Sequence, residues 1–196
     1  ASGFSFDIGV HGGFDIPTVG SNTGRIRSGR QKVGEGVAND LAATGRIKYT
    51  GIAGLELAAS LQYQSDADQG VSSAIDELVL FSTHVIYNNG PFTLRALYAR
   101  ADIESDGTLE ALANDATDQD GFYIEPSYKF NNQWGVYARY EDVEGARTSD
   151  QFDQIEAGVN YWPHENVVIK ADIRSREFDD NRDDFDAFDL GVGYQF

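Results

Sequence analysis

Apolar residues recur at every second position along most of the chain. Phe4, Phe6, Ile8 and Val10 begin the pattern, Leu55, Leu57, Ala59, Leu61 and Tyr63 repeat it, and Phe188, Leu190, Val192, Tyr194 and Phe196 end it. A period of two puts one set of side chains on one face of a β-strand and the intervening set on the other. Ten strands are predicted, near 3–14, 41–50, 55–65, 77–88, 92–103, 121–130, 134–143, 153–163, 166–177 and 185–196. Most have the roughly 9 to 11 residues that a tilted strand needs to cross a bilayer. Aromatic residues gather toward the strand ends, as in an interfacial girdle. Leu78, Val79, Leu80 and Phe81 run together, which leaves the facing of 77–88 open. Only "SDGTLEALAND", at 105–115, offers a short competing helix.

The connections alternate in length. Short ones lie at 50–54, 88–91, 131–133 and 164–166, and longer ones at 15–40, 66–76, 104–120, 144–152 and 178–184. Antiparallel barrels of bacterial outer membranes have this asymmetry, with tight periplasmic turns and longer extracellular loops. An even strand count puts both chain ends on the short-turn side, so Phe196 is expected at the periplasmic rim.

Charges occupy the face opposite the apolar one. Asp7, Glu56, Glu125, Glu141, Glu156, Asp172 and Asp189 interleave with Arg46, Lys48, Arg95, Lys129, Arg139, Lys170 and Arg174, seven acids against seven bases. A dry core cannot accept so many charges at strand centres, because each unpaired buried charge costs several kcal/mol. A water-filled or salt-bridged interior can. Of this face, Arg46, Lys48, Glu56, Arg95, Glu125, Lys129, Arg139, Glu156, Lys170, Asp172 and Arg174 are the candidate pore-lining residues.

Composition removes other classes. The formal net charge of −17 argues against nucleic acid as a partner, since displacing phosphate counterions takes Lys and Arg. With no Cys, the chain has no disulfide, thiolate metal site or cysteine nucleophile. "ASGFSFDIGV" lacks a charged start followed by an apolar run, so no signal peptide is expected within this numbering. No run approaches the length of a membrane-spanning helix, and the mean hydropathy of −0.41 fits a barrel in which only alternate residues face lipid.

The acidic excess lies in the loops, in "DGTLEALANDATDQDG" and "REFDDNRDDFD". Neither has the full spacing of a calcium loop, so solvated acidic faces, no metal and no cofactor are expected. "TGRIRSGRQKVGEG" differs: Arg25, Arg27, Arg30 and Lys32 fall within eight residues of the longest loop. Folded inward, they would form a cationic constriction with anion preference; left outside, they would be an exposed basic loop. The three histidines, His11, His84 and His164, form no Ser-His-acid grouping at a common rim, so no enzyme is expected.

"NDLAATGRIKYTGIAGLELAASLQYQSD", "IYNNGPFTLRALYAR", "DGFYIEPSYKF", "GVNYWPHENVVIKADI" and "GVGYQF" resemble the C-terminal half of Gram-negative porins of the phosphate-selective O/P type. The resemblance implies an all-β, transmembrane antiparallel β-barrel. Residues 1–196 would form a single barrel domain or a portion of a 16- or 18-stranded one, with 15–40 as its long loop. It also implies a bacterial outer-membrane location among lipid and lipopolysaccharide, frequent assembly as a homotrimer, and passive diffusion of small hydrophilic solutes or ions. Phosphate selectivity is not carried over, since "GRIRSGRQK" is the one local cationic cluster. A small closed barrel with a plugged lumen and a structural or loop-binding role stays open as the alternative.

Overall fold

In the computed structural model, residues 3–32, 34–107, 116–180 and 182–195 are described; Phe196 and positions 108–115 of the helix candidate lie outside them. The ten strands are β1 (Phe4–His11), β2 (Ala42–Tyr49), β3 (Leu55–Gln64), β4 (Leu78–Asn89), β5 (Phe92–Ile103), β6 (Asp118–Lys129), β7 (Trp134–Glu144), β8 (Phe152–His164), β9 (Val167–Phe178) and β10 (Phe185–Tyr194). They form one antiparallel sheet in sequence order, each strand beside its chain neighbours. The predicted strands agree to within a few residues. β1 is shorter than expected, because the chain leaves the sheet at Gly12–Gly13. Gly13 has φ +68°, and a Cβ there would strike the Gln64 amide, so the exit suits glycine.

Register shows why the alternation persists. Side chains of residues paired across antiparallel strands share a face. Starting at Asp7↔Arg46 and following Arg46↔Ser60, Ser60↔Ser82, Ser82↔Ala99 and Ala99↔Gly121, the chain of partners stays on one face. The opposite face carries Tyr63, Phe81, Phe122 and Tyr140 toward the long-loop end and Tyr87, Tyr128, Trp134 and Tyr161 toward the short-turn end. Phe122 and Tyr140 meet edge-on at 5.7 Å, and Trp134 stacks on Tyr161 at 4.5 Å. Two aromatic bands thus flank an aliphatic middle, the arrangement that suits two bilayer interfaces.

Leu78–Phe81 now has an explanation. Val79 and Phe81 stand on the outer, aromatic face, while Leu78 and Leu80 point the other way into a buried cluster with Ile16, Ile75, Ala101 and Ile103. Here the inner face is roofed by the 12–41 and 65–77 connections, so the strand is apolar on both sides. β1 and β10 are exposed on both faces, and no pairing joins them among the described residues.

Candidate functional site

Six charged residues lie in one row across the inner face. Glu56 is opposite Ile86, Ile86 opposite Arg95, and Arg95 opposite Glu125. Arg139 continues the row next to Glu125, then pairs in register with Glu156, and Glu156 with Arg174. From β5 to β9 the signs alternate strictly: Arg95, Glu125, Arg139, Glu156, Arg174. Glu125, Arg139 and Glu156 each sit between two charges of opposite sign, the favourable cross-strand arrangement, worth a few tenths to about 1 kcal/mol per pair.

The hydrogen bonds follow the row. Glu125, only 9% exposed, accepts from Arg95 at 2.8 Å and from Arg139 at 2.9 Å. Arg139 also lies 3.8 Å from Glu141 and 4.5 Å above the Tyr123 ring. Tyr137 donates its hydroxyl to Glu156. Glu56 is held by His84 at 3.0 Å and Lys48 at 3.8 Å, and Arg174 reaches Asp189 at 3.2 Å. Lys129 and Lys170 rest instead on aromatic faces, Lys129 at 4.3 Å from Trp162 and Lys170 at 4.8 Å from Tyr137. Arg46 is opposite Asp7, and Asp172 is opposite Asp189. All eleven candidate wall residues therefore share the inner face.

Arg176 adds to that face. It stands opposite Gln154 and Phe185, donates to Gln154 at 2.8 Å and stacks 3.8 Å from the Phe152 ring. The inner strand face then carries eight bases against seven acids, one more base than the sequence count. Extending the period through Lys170, Asp172 and Arg174 by one step would have found it.

The loop following β1 lies over the long-loop end of this face. Ile26 borders one cavity with Leu80, Leu97, Tyr123 and Val143, all inner-face residues. Gln119 donates to the Gly24 carbonyl at 2.7 Å, and Arg25 grips Asp150 in the β7–β8 connection through Nε at 2.6 Å and Nη2 at 2.8 Å. The root is clamped by two buried amides. Gln64 donates to the carbonyls of Phe14 and Asp66 and accepts from the Phe14 N–H. Gln69 donates to the carbonyls of Gly12, Phe14 and Asp40 and accepts from the Asp40 N–H. In the neighbouring 65–77 connection, burial pushes the Asp66 carboxyl above its usual range. The Gly70 N–H opposes that shift and Asp68 adds to it.

Of the four basic loop residues, Arg25 is consumed by Asp150, whereas Arg27, Arg30 and Lys32 are exposed. Arg30 donates to the Arg27 carbonyl at 3.3 Å. Among the described residues no group of His or carboxylates is arranged to hold a metal ion.

A sheet with one aromatic-banded apolar face, one charged face and a loop laid over the charged face is the wall of a transmembrane β-barrel. The family model for Gram-negative porins matches residues 6–182, and the chain belongs to that family. Its fold is similar to that of Salmonella typhi OmpF, solved in complex with daunomycin, with a TM-score of 0.63 and 17% identity over 99% of this chain and 57% of that one. It is also similar to a porin refined at 1.8 Å, with a TM-score of 0.61 and 16% identity over 100% of this chain and 59% of that one. A curated relative, an uncharacterized protein of Aquifex aeolicus, is 24% identical over 193 residues, 85% of this chain and 44% of the relative. The chain thus spans about half the length of the relatives it matches.

Proposed function

We propose that this chain forms part of the wall of a water-filled pore in the bacterial outer membrane, through which small hydrophilic solutes and ions diffuse passively. It is a channel and not an enzyme. The observation that carries this reading is the alternating row of charges across β5–β9, on the face opposite the aromatic bands. Side-chain atoms of Gln62, Asn160 and Arg174 on that face are covered by neighbours and meet no protein partner. Water is the usual partner of such groups.

In this reading the long loops are extracellular, the short turns are periplasmic, and lipid and lipopolysaccharide surround the outer face. Unpaired strand edges are not tolerated in hydrocarbon. Since the chain covers under three fifths of either solved porin, we assign closure between β10 and β1 to further strands of a longer barrel. Homotrimer assembly follows from the family resemblance. The family match is to Gram-negative porins in general and not to their phosphate-selective members, and phosphate selectivity is not proposed.

The pore prefers anions locally. The wall charges nearly cancel, whereas Arg27, Arg30 and Lys32 sit on the inward loop, where field is focused by a narrow passage. The acidic outer loops oppose them, but charges more than about 8 Å from the path are screened at physiological salt. Changing Arg27, Arg30 and Lys32 together to Gln is expected to move the reversal potential in a KCl gradient toward cations. The shift should exceed the opposite one caused by changing Asp179, Asp180, Asp183 and Asp184 to Asn. An unchanged reversal potential in the triple variant would contradict the anion preference.

A further inference from the structure

We propose that a cavity of about 610 Å³ between the inward loop and the long-loop end of β7–β9 is a binding site for small organic carboxylates. The proposal deepens the pore reading, because it names a solute class for the same lumen. Four guanidinium groups border this cavity, those of Arg25, Arg27, Arg176 and Arg182, against one carboxylate, Asp150.

Two of the four are already engaged. Arg25 is bound by Asp150 through two hydrogen bonds, and Arg182 by Asp180 at 2.8 Å. Arg27 and Arg176 have no ion-pair partner among the described residues. Arg176 spends its Nε on the neutral Gln154 amide, and its guanidinium face lies 3.8 Å from the Phe152 ring. Stacking fixes the plane of that group and leaves its terminal N–H fork for an acceptor at its edge. A fork held in a plane matches a planar, two-oxygen acceptor.

The remaining surface selects for more than charge. Ile26, Val143, Ala146, Phe152 and Phe178 supply an apolar lining beside the guanidinium edge. A carboxylate carrying an aryl or short alkyl body fills both parts, whereas inorganic phosphate answers only the charged one. The volume falls within the range of about 300 to 1,000 Å³ that holds small organic ligands. The acidic 178–184 connection reaches the cavity edge, but Asp180 there is bound by Arg182 and Asp150 by Arg25, so the two guanidinium groups without an ion-pair partner among the described residues, Arg27 and Arg176, favour an anion in the cavity.

The test is benzoate titration of the single-channel chloride current of the native protein, with inorganic phosphate as the comparison anion. Benzoate is expected to block the current saturably, with half-block at least about tenfold below that of phosphate. Arg176→Gln should raise the half-blocking benzoate concentration about tenfold or more, a loss of about 1.4 kcal/mol. Arg176→Lys, which keeps the charge but not the fork, should not restore the block. Equal block by both anions would reduce the site to a simple anion patch and overturn the proposal, as would benzoate block unaltered in Arg176→Gln. Calorimetric titration of the detergent-solubilised protein separates the two readings. If the protein passes no current, the pore reading fails, while Arg176-dependent benzoate heat still supports the site and its absence overturns it.

Discussion

Replacing Val136 with Arg should lower the stability of the folded barrel by roughly 2 to 4 kcal/mol, the cost of a cation on the lipid face near the bilayer midplane. Val136 lies in β7 between Trp134 and Tyr140, members of the two aromatic bands, and it pairs with Tyr128 and Val159 on the outer face. No acid stands beside it in that register. An arginine there has lipid on one side and β-branched or aromatic neighbours on the other. Lys170→Gln removes a cation from the inner face, where the ammonium rests on the Tyr137 ring, and should shift stability by less than about 1 kcal/mol if that face borders water. Urea unfolding of the two variants in lipid vesicles gives the order. Greater damage from Lys170→Gln would mean that the faces are reversed.

Removing the Gln69 amide is the second large perturbation. Its side chain is buried and donates to three carbonyls, those of Gly12, Phe14 and Asp40, while accepting from the Asp40 N–H. Gln69→Ala removes the partner of the Asp40 carbonyl and N–H, while the Phe14 carbonyl keeps Gln64 and the Gly12 carbonyl keeps Gln31, and each unsatisfied buried polar group costs about 1 to 3 kcal/mol. Water entry offsets part of that, so a net loss near 3 kcal/mol is expected, concentrated at the loop root. Gln69 also has φ +61°, so neither residue is relieved of backbone strain by the exchange. The loop should leave its seat more often, exposing Arg27, Arg30 and Lys32 to trypsin and raising the single-channel conductance. Unchanged cleavage together with unchanged conductance would show that the clamp does not hold the loop.

The wall was legible in the sequence because an apolar outer face and a charged inner face impose a period of two on most strands. All eleven wall candidates share one face for that reason, and the pattern needed no knowledge of tertiary contacts. Leu78–Phe81 looked ambiguous because a third environment intrudes there: the inner face meets packed loop and not water. That break in alternation, read alongside the long 15–40 connection, is the sequence trace of a loop folded inward. Asp150 as the partner of Arg25 was not legible, since the pair is separated by 125 positions and depends on how two loops meet. The amide clamp of Gln64 and Gln69 was hidden for a related reason. A glutamine ending a polar set looks the same whether it faces water or buried carbonyls.

Single-channel recording of the native protein in a planar bilayer decides whether the charged face borders water through which ions pass. A steady, ohmic open current in KCl is the predicted result, growing in uniform steps as protein inserts. Folded protein that inserts into the bilayer and passes no steady current would contradict the account and favour a barrel whose paired charges and loops fill its interior.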